Sequence, residues 1–350
     1  MNAQSQQHTR RRFLAGSAVV LSAAGGGILT AKPAVAQGPQ SFSWQIGDDV
    51  LATIFNTSDC DLGLVQHAGR LWVQTSWWPD WRRYAGRTID DIEQIDNAVR
   101  DSSFTQPHGD DAYWTGGIWA DSAGTWYAPV HIEYDYDIPW SYPHWTRRFG
   151  LATSSDYGAH WHYHGDIVTT DPAAPKPDPS FRDFGDGDHR MFIDERAGYA
   201  YLYYERGWSS PADGALHNSY MALARCRLRD RMAPGSWAKW YDGKWSEPGL
   251  GGLDSEVVPG VSVFMSVHYN TYLRRYVLID VSGLYTATDL TRQDWSRAGA
   301  FPDRLHWYNT PIDEHTQNRW SIGRSLRLYS SQTHVDNVDS KYMTITFERS

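Results

Sequence analysis

The sequence predicts an all-β chain folded as a five-bladed β-propeller, and three observations carry that expectation. Short β-branched or aromatic segments bounded by Gly, Asp, Asn and Pro run from the forties to the C-terminus, and no long 3.6-period pattern interrupts them. Strand, turn and aromatic-strand units recur, most clearly in Gly-Asp-Gly-Asp-His-Arg at 185–190. There a strand over 189–194, a polar turn over 195–198 and a Tyr-rich strand over 199–204 read as a hairpin. An all-β chain of this size must close or stack its edges, and radial repetition of small sheets does so.

The N-terminus stands outside that array. Thr9-Arg10-Arg11-Arg12-Phe13-Leu14 precedes a Gly- and Ala-rich apolar run, and Ala34-Val35-Ala36 offers a small-residue cleavage site. The stretch resembles a twin-arginine export signal, which predicts a leader over 1–36 and one domain over 37–350, delivered to the periplasm or secreted. Without the leader the chain has 28 basic and 41 acidic side chains, a formal net charge of −13, which excludes nucleic acid as a partner. No later stretch reaches the roughly 18 uninterrupted apolar residues of a membrane span. Cys60 and Cys226 are too few for a disulfide scaffold or a cysteine-rich metal site; two buried thiols and one pair are both open. The sequence does not set the oligomeric state.

Taken in order, the first unit starts at Asp59-Cys60-Asp61, turns at His67-Ala68-Gly69 and returns over 70–75. The segment 90–100 is the main candidate helix. The second unit starts near Trp114, turns at Ser122-Ala123-Gly124 and returns over 125–130, with outer strands at 149–153 and 165–168. Between these lies Ser154-Ser155-Asp156-Tyr157-Gly158-Ala159-His160-Trp161. It matches the Ser-x-Asp-x-Gly-x-x-Trp turn called an Asp box, in which Asp accepts turn N–H groups, Gly supplies a positive φ and Trp tucks under the loop. A looser relative, Thr288-Asp289-Leu290 with Trp295, recurs later. The third unit is the 185–204 hairpin with 219–226 and 237–245. The fourth spans 261–281, and the fifth runs from His306 through Trp320-Ser321-Ile322 to 342–347. Five units of roughly 60 residues exceed the usual short-blade repeats, and their long connections would build a site on one face.

These features together resemble the five-bladed β-propeller glycoside hydrolases, the superfamily of arabinanases, β-xylosidases, invertases and levansucrases. The resemblance implies carboxylates on successive inner strands converging on a central funnel. The first-blade base or nucleophile would be Asp61 or its rival Asp59; the third-blade acid that tunes pKa and holds the sugar would be Asp188 or its rival Asp186. In a strand, residues two apart face the same way, so either member of each pair could look inward. The general acid would be Glu256 or Glu205, since no Glu-Gly or Glu-Ala-Pro signature marks one. Two carboxylates, one protonated and one ionised, are what glycoside hydrolysis needs.

Candidate sugar contacts are His189 and Arg190, of which alternation sends one inward, together with His268 and Asn270 at the end of the fourth inner strand. Trp77, Trp78 and Trp81 read as a sugar platform beside the first blade, and His315 and Arg319 as secondary subsite residues. Aromatic residues make up 14% of the chain, with 18 Trp set among Gly, Asp, Asn and His. That mixture suits a carbohydrate, because aromatic faces cover the C–H side of a ring while carboxylates and amides bond its hydroxyls. His160, His162 and His164 alternate on the outer hairpin as surface residues rather than metal ligands, and 249–252 reads as a plain turn. No cofactor is required by this chemistry; Ca²⁺ in the propeller channel is left open. A His/Tyr polysaccharide lyase, a sialidase-like enzyme and a non-catalytic glycan binder are the alternatives.

Overall fold

The computed structural model describes residues 42–52, 58–77, 79–105, 111–135, 145–171, 173–176, 178–210, 216–302, 307–331 and 340–350. The leader predicted over 1–36, Trp78 and His306 lie outside them. The described residues form five sheets arranged as a five-bladed propeller. Blade I is a meander of Gly63–His67, Arg70–Trp77, Asp80–Gly86 and Glu93–Asn97. Blade II runs outward from Ala112–Thr115 through Trp126–Asp135 and Trp145–Ser154 to His160–Val168. Val99–Arg100 adds in parallel on its outer edge. Blade III is built on Arg182–Asp194, Tyr199–Ser209 and Leu216–Arg227, with Ala238–Tyr241 and Lys244–Pro248 outside them. Blade IV comprises Ser266–Asn270, Arg275–Asp280, Gly283–Ala287 and Ser296–Gly299.

Blade V is completed from both ends of the chain. Trp307–Asp313, Ser325–Ser331 and Lys341–Arg349 are joined by Phe42–Leu51, which pairs antiparallel with Lys341–Arg349 as the outermost strand. The N-terminal strand therefore closes the ring, and a single sheet ties the two ends together. Five clusters of buried side chains fill the five gaps between neighbouring blades. The alternation of each strand explains this: in Tyr199–Ser209, Tyr201 and Tyr203 pack toward blade IV while Ala200, Leu202 and Tyr204 pack toward blade II.

Three expectations are corrected. The candidate helix over 90–100 is instead an edge strand followed by a two-residue strand; all five side chains of Glu93–Asn97 are exposed, so no apolar alternation marked it. Trp81 is core, 1% exposed, donating its indole N–H to the Tyr113 carbonyl at 3.0 Å and meeting Trp161 and Phe104 edge-on. The Pro79-Asp80 turn is tight enough to pair Trp77 with Asp80, so Trp81 falls on the next strand. Ser321–Ile322 joins blade IV, parallel to Ser266–Asn270, rather than blade V.

The Asp box sits on the outer hairpin of blade II. Asp156 accepts the His160 N–H and the Ser154 hydroxyl, each at 2.9 Å, and Trp161 is fully buried with its N–H on the Gly158 carbonyl at 3.0 Å. The later relative occupies the outer hairpin of blade IV, where Asp294 accepts the N–H groups of Thr288 and Asp289. Cys60 and Cys226 are separate buried thiols.

Candidate active site

The Gly-Asp-Gly-Asp segment acts through what its glycines omit. A Cβ on Gly185 would collide with the Arg147 backbone and one on Gly187 with the Arg147 side chain. The two glycines thus let Arg147 of blade II lie across the inner strand of blade III. There Nη1 donates to Glu205 Oε2 at 2.9 Å and to Asp188 Oδ2 at 3.3 Å. One buried guanidinium therefore joins two carboxylates from neighbouring strands, both 15% exposed at their side chains.

Asp188 reaches this position because it is the extra residue of a β-bulge. The register shifts between Gly187 and His189, and Asp188 has φ 44°, a left-handed conformation uncommon for any residue but Gly. Tyr308 of blade V also has a positive φ, 56°, next to a second register shift, and its hydroxyl donates to Asp188 Oδ1 at 3.1 Å. Two strained backbones aimed at one carboxylate are what a functional site tends to hold. His131 of blade II stands 3.9 Å from the same oxygen.

The two carboxyls on Arg147 are driven apart. Burial pushes Asp188 up, but the charges of Arg147 and Arg190 and the Tyr308 hydroxyl outweigh it and leave it below the usual carboxylate range. Burial also pushes Glu205 up; Arg147 pulls it back, Asp188 adds to the rise, and the net position is above the usual range. Neighbouring acids with opposed shifts are how one site keeps one carboxyl ionised and the other protonated.

The sequence-derived pairs separate here. The bulge at Asp188 ends the alternation, so Asp186 does not face the funnel. It is fully buried against Lys239 at 3.2 Å, and burial pushes its carboxyl up to about 6 against that cation's pull. On blade I, Asp59 and Asp61 precede the strand, so alternation does not govern them either. Asp61 is fully buried and ion-paired to Arg319, which also bonds the Leu62 carbonyl; a Cβ on Gly116 would press on its other oxygen. Asp59 is half-buried, anchored through its N–H to the Ser76 carbonyl at 2.6 Å beside the half-buried Trp77. Its charge adds to the rise of the Tyr308 hydroxyl, the group that bonds Asp188.

Glu256 accepts the Gly260 N–H at 3.1 Å within its own turn. His189 is buried, edge-on to Phe149, with Nε2 donating to the Gly116 carbonyl at 3.0 Å, so it clamps blade III to blade II. Arg190 lies 4.6 Å from the Tyr308 ring and bonds the His189 carbonyl; its Nε and Nη2 find no acceptor among the described residues. His268 is buried between blades IV and V, with Phe347 the nearest ring, and Asn270 is a turn cap bonding Gly323 and Leu273. His315 is exposed, its backbone N–H on Asp313.

Sequence reasoning missed Arg147, Tyr308 and His131, since nothing in their local spacing announces them. Among the described residues, no group of three or more His, Cys, Asp or Glu is arranged to hold a metal ion, and the buried Asp61 carries Arg319 as its cation.

No protein-family model and no curated protein matches the sequence. Solved structures do match. A family 117 glycoside hydrolase of the marine bacterium Zobellia galactanivorans superposes with a TM-score of 0.51 at 10% identity, covering 88% of this chain and 90% of that one. An α-L-arabinanase of Penicillium chrysogenum complexed with arabinobiose gives 0.48 at 12% identity, covering 86% and 76%. An inulosucrase of Halalkalicoccus jeotgali bound to kestose gives 0.47 at 13%, covering 85% and 79%. At such identity the likeness concerns architecture alone, and in architecture the chain is a five-bladed propeller of the kind seen in that family 117 glycoside hydrolase.

Proposed function

We propose that the protein is an exported glycoside hydrolase whose reaction centre is formed by Asp59, Asp188 and Glu205. The observation that carries this reading is the Arg147 guanidinium shared between Asp188 and Glu205, with one carboxyl held low and the other high. Glu205, whose carboxyl is held above the usual range by burial and by Asp188, donates its proton to the oxygen of the leaving sugar. Asp59, across the funnel on blade I, acts on the other side of the anomeric carbon, as base toward water or as nucleophile. Asp188 stays ionised, raises the Glu205 carboxyl by like charge and stabilises the positive charge that develops on the ring. Tyr308 and Arg147 hold Asp188 in place, and Trp77 offers its ring to the sugar beside Asp59. This assignment replaces Asp61 by Asp59 and Glu256 by Glu205, because a sealed carboxylate and a turn acceptor are poorly placed to touch a substrate.

A carbohydrate substrate fits both the aromatic-rich chain and this pair of acids. The lyase alternative is less well supported at His189, which is buried with its Nε2 committed to the Gly116 carbonyl. The twin-arginine leader supplies the route of export. The test is a screen of the protein, without residues 1–36, against a panel of neutral and acidic polysaccharides and aryl glycosides. New reducing ends support the reading; ultraviolet-absorbing unsaturated products, or no cleavage of any member, count against it.

A further inference from the structure

Blade III holds a second concavity, formed by residues the reaction does not use. A cavity of about 190 Å³ is bounded by Trp208, Tyr220, Tyr241, Arg206 and Asp254 and by the backbone at 252–253. Successive residues of a strand point to opposite faces, so Arg206 lines this cavity on the side of the sheet away from Glu205. The cavity and the carboxylate cluster are thus neighbours across one strand.

Its floor is built and rigid. Lys239 is completely buried and donates to the Thr169 and Gly252 carbonyls at 2.9 and 3.0 Å and to Asp186 and Asp254 at 3.2 and 3.3 Å. Asp254 in turn accepts the Tyr220 hydroxyl at 2.7 Å. Arg206 is held by Asp183 at 2.7 and 3.1 Å and lies 4.3 Å from the centre of the Trp208 ring. Trp208 is 6% exposed, yet its indole N–H meets no acceptor among the described residues.

We propose that this cavity binds one ring of a neutral sugar and so anchors a glycan chain outside the reaction centre. Aromatic walls suit the C–H face of a ring, and Asp254 can accept from a hydroxyl. The volume is below the roughly 300–1,000 Å³ of sites for drug-sized ligands, which matches a single ring. An anion fits less well, since Arg206 is already paired with Asp183 and the acids Asp171 and Asp254 line the same cavity.

The experiment is affinity electrophoresis of the leaderless protein through gels containing arabinan, arabinogalactan or xylan, alongside cleavage of aryl glycosides. Tyr241→Ala removes one wall, and Trp208→Phe shrinks another; circular dichroism checks the fold of each, and Trp208→Phe decides if Tyr241→Ala misfolds. The proposal expects at least one polymer to retard the wild type, the variants to bind it about tenfold more weakly or worse, and aryl glycoside turnover to stay within about twofold. Retardation unchanged in both variants, no retardation of the wild type, or a parallel fall in aryl glycoside turnover would overturn it. Retardation is read without cleavage, so the site can stand or fall independently of the hydrolase reading.

Discussion

At the scale of single residues, what distinguishes the acids is their surroundings. Asp61 and Asp59 are two positions apart, yet one is sealed against Arg319 and the other is half-open. Asp61→Asn would leave the Arg319 charge buried with a neutral partner, and breaking a buried pair in this way typically costs about 3–5 kcal/mol. The expected outcome is a large loss of stability in denaturant melts; an unchanged midpoint with lost turnover would return the reaction to Asp61. The pH profile addresses the other pair. Because Glu205 is raised, its acid form persists to higher pH than an ordinary glutamic acid, so kcat/KM should fall on the alkaline side as Glu205 ionises. Arg147 pulls the Glu205 carboxyl down, so Arg147→Gln should move that alkaline limb upward; a downward or absent shift in the pH–rate profile would contradict the arrangement. Neither relation could be read from sequence. Arg147 lies 58 positions from Glu205, and the bulge that turns Asp188 inward depends on a backbone conformation that Asp rarely adopts.

At the scale of elements, local pattern was informative wherever a strand has one buried side. The hairpins at 63–77 and 189–204 lie where the turn residues place them, and the Asp box was legible because the bonds that define it, to Asp156, to the Ser154 hydroxyl and from the Trp161 indole to Gly158, lie within eight residues. Asp156→Ala removes an acceptor that is itself 44% exposed, so the expected cost is about 1 kcal/mol, near the lower end for an unsatisfied donor, with turnover unchanged. Thermal unfolding with a parallel rate assay checks both halves. Glu93–Asn97 was misread because an exposed outer strand has no apolar face to alternate. The closing role of Phe42–Leu51 was missed for a different reason, since its partner lies at the other end of the chain.

At the scale of the whole molecule, the ring buries histidines in the gaps between and beside its blades. Burial pushes His131 and His268 down to about 3 and His189 down to about 4. A folded-state pKa depressed below the unfolded value near 6.5 gives stability that is present above that value and lost as pH falls. Each histidine can therefore remove on the order of 1 kcal/mol per pH unit between about pH 6.5 and pH 4. Asp186, raised to about 6, and Glu205, also raised, work in the opposite direction, two groups against three. The midpoint of urea unfolding should fall steeply from pH 7 to pH 5; a flat profile would show that the histidines are charged or solvated in the folded state.

The claim on which the rest depends is that Glu205 and Asp59 divide the work of breaking a glycosidic bond. The most direct measurement is kcat for Asp59→Asn and Glu205→Gln on the best polysaccharide and on an aryl glycoside with a good leaving group. General acid/base help is typically worth about 10²–10⁴ in rate, so both variants should fold as the wild type does and lose that much on the polysaccharide. Glu205→Gln should be largely spared on the aryl glycoside, whose leaving group needs no proton, while Asp59→Asn should not. Wild-type rates for both variants on both substrates, or equal losses for Glu205→Gln on the two, would contradict the account.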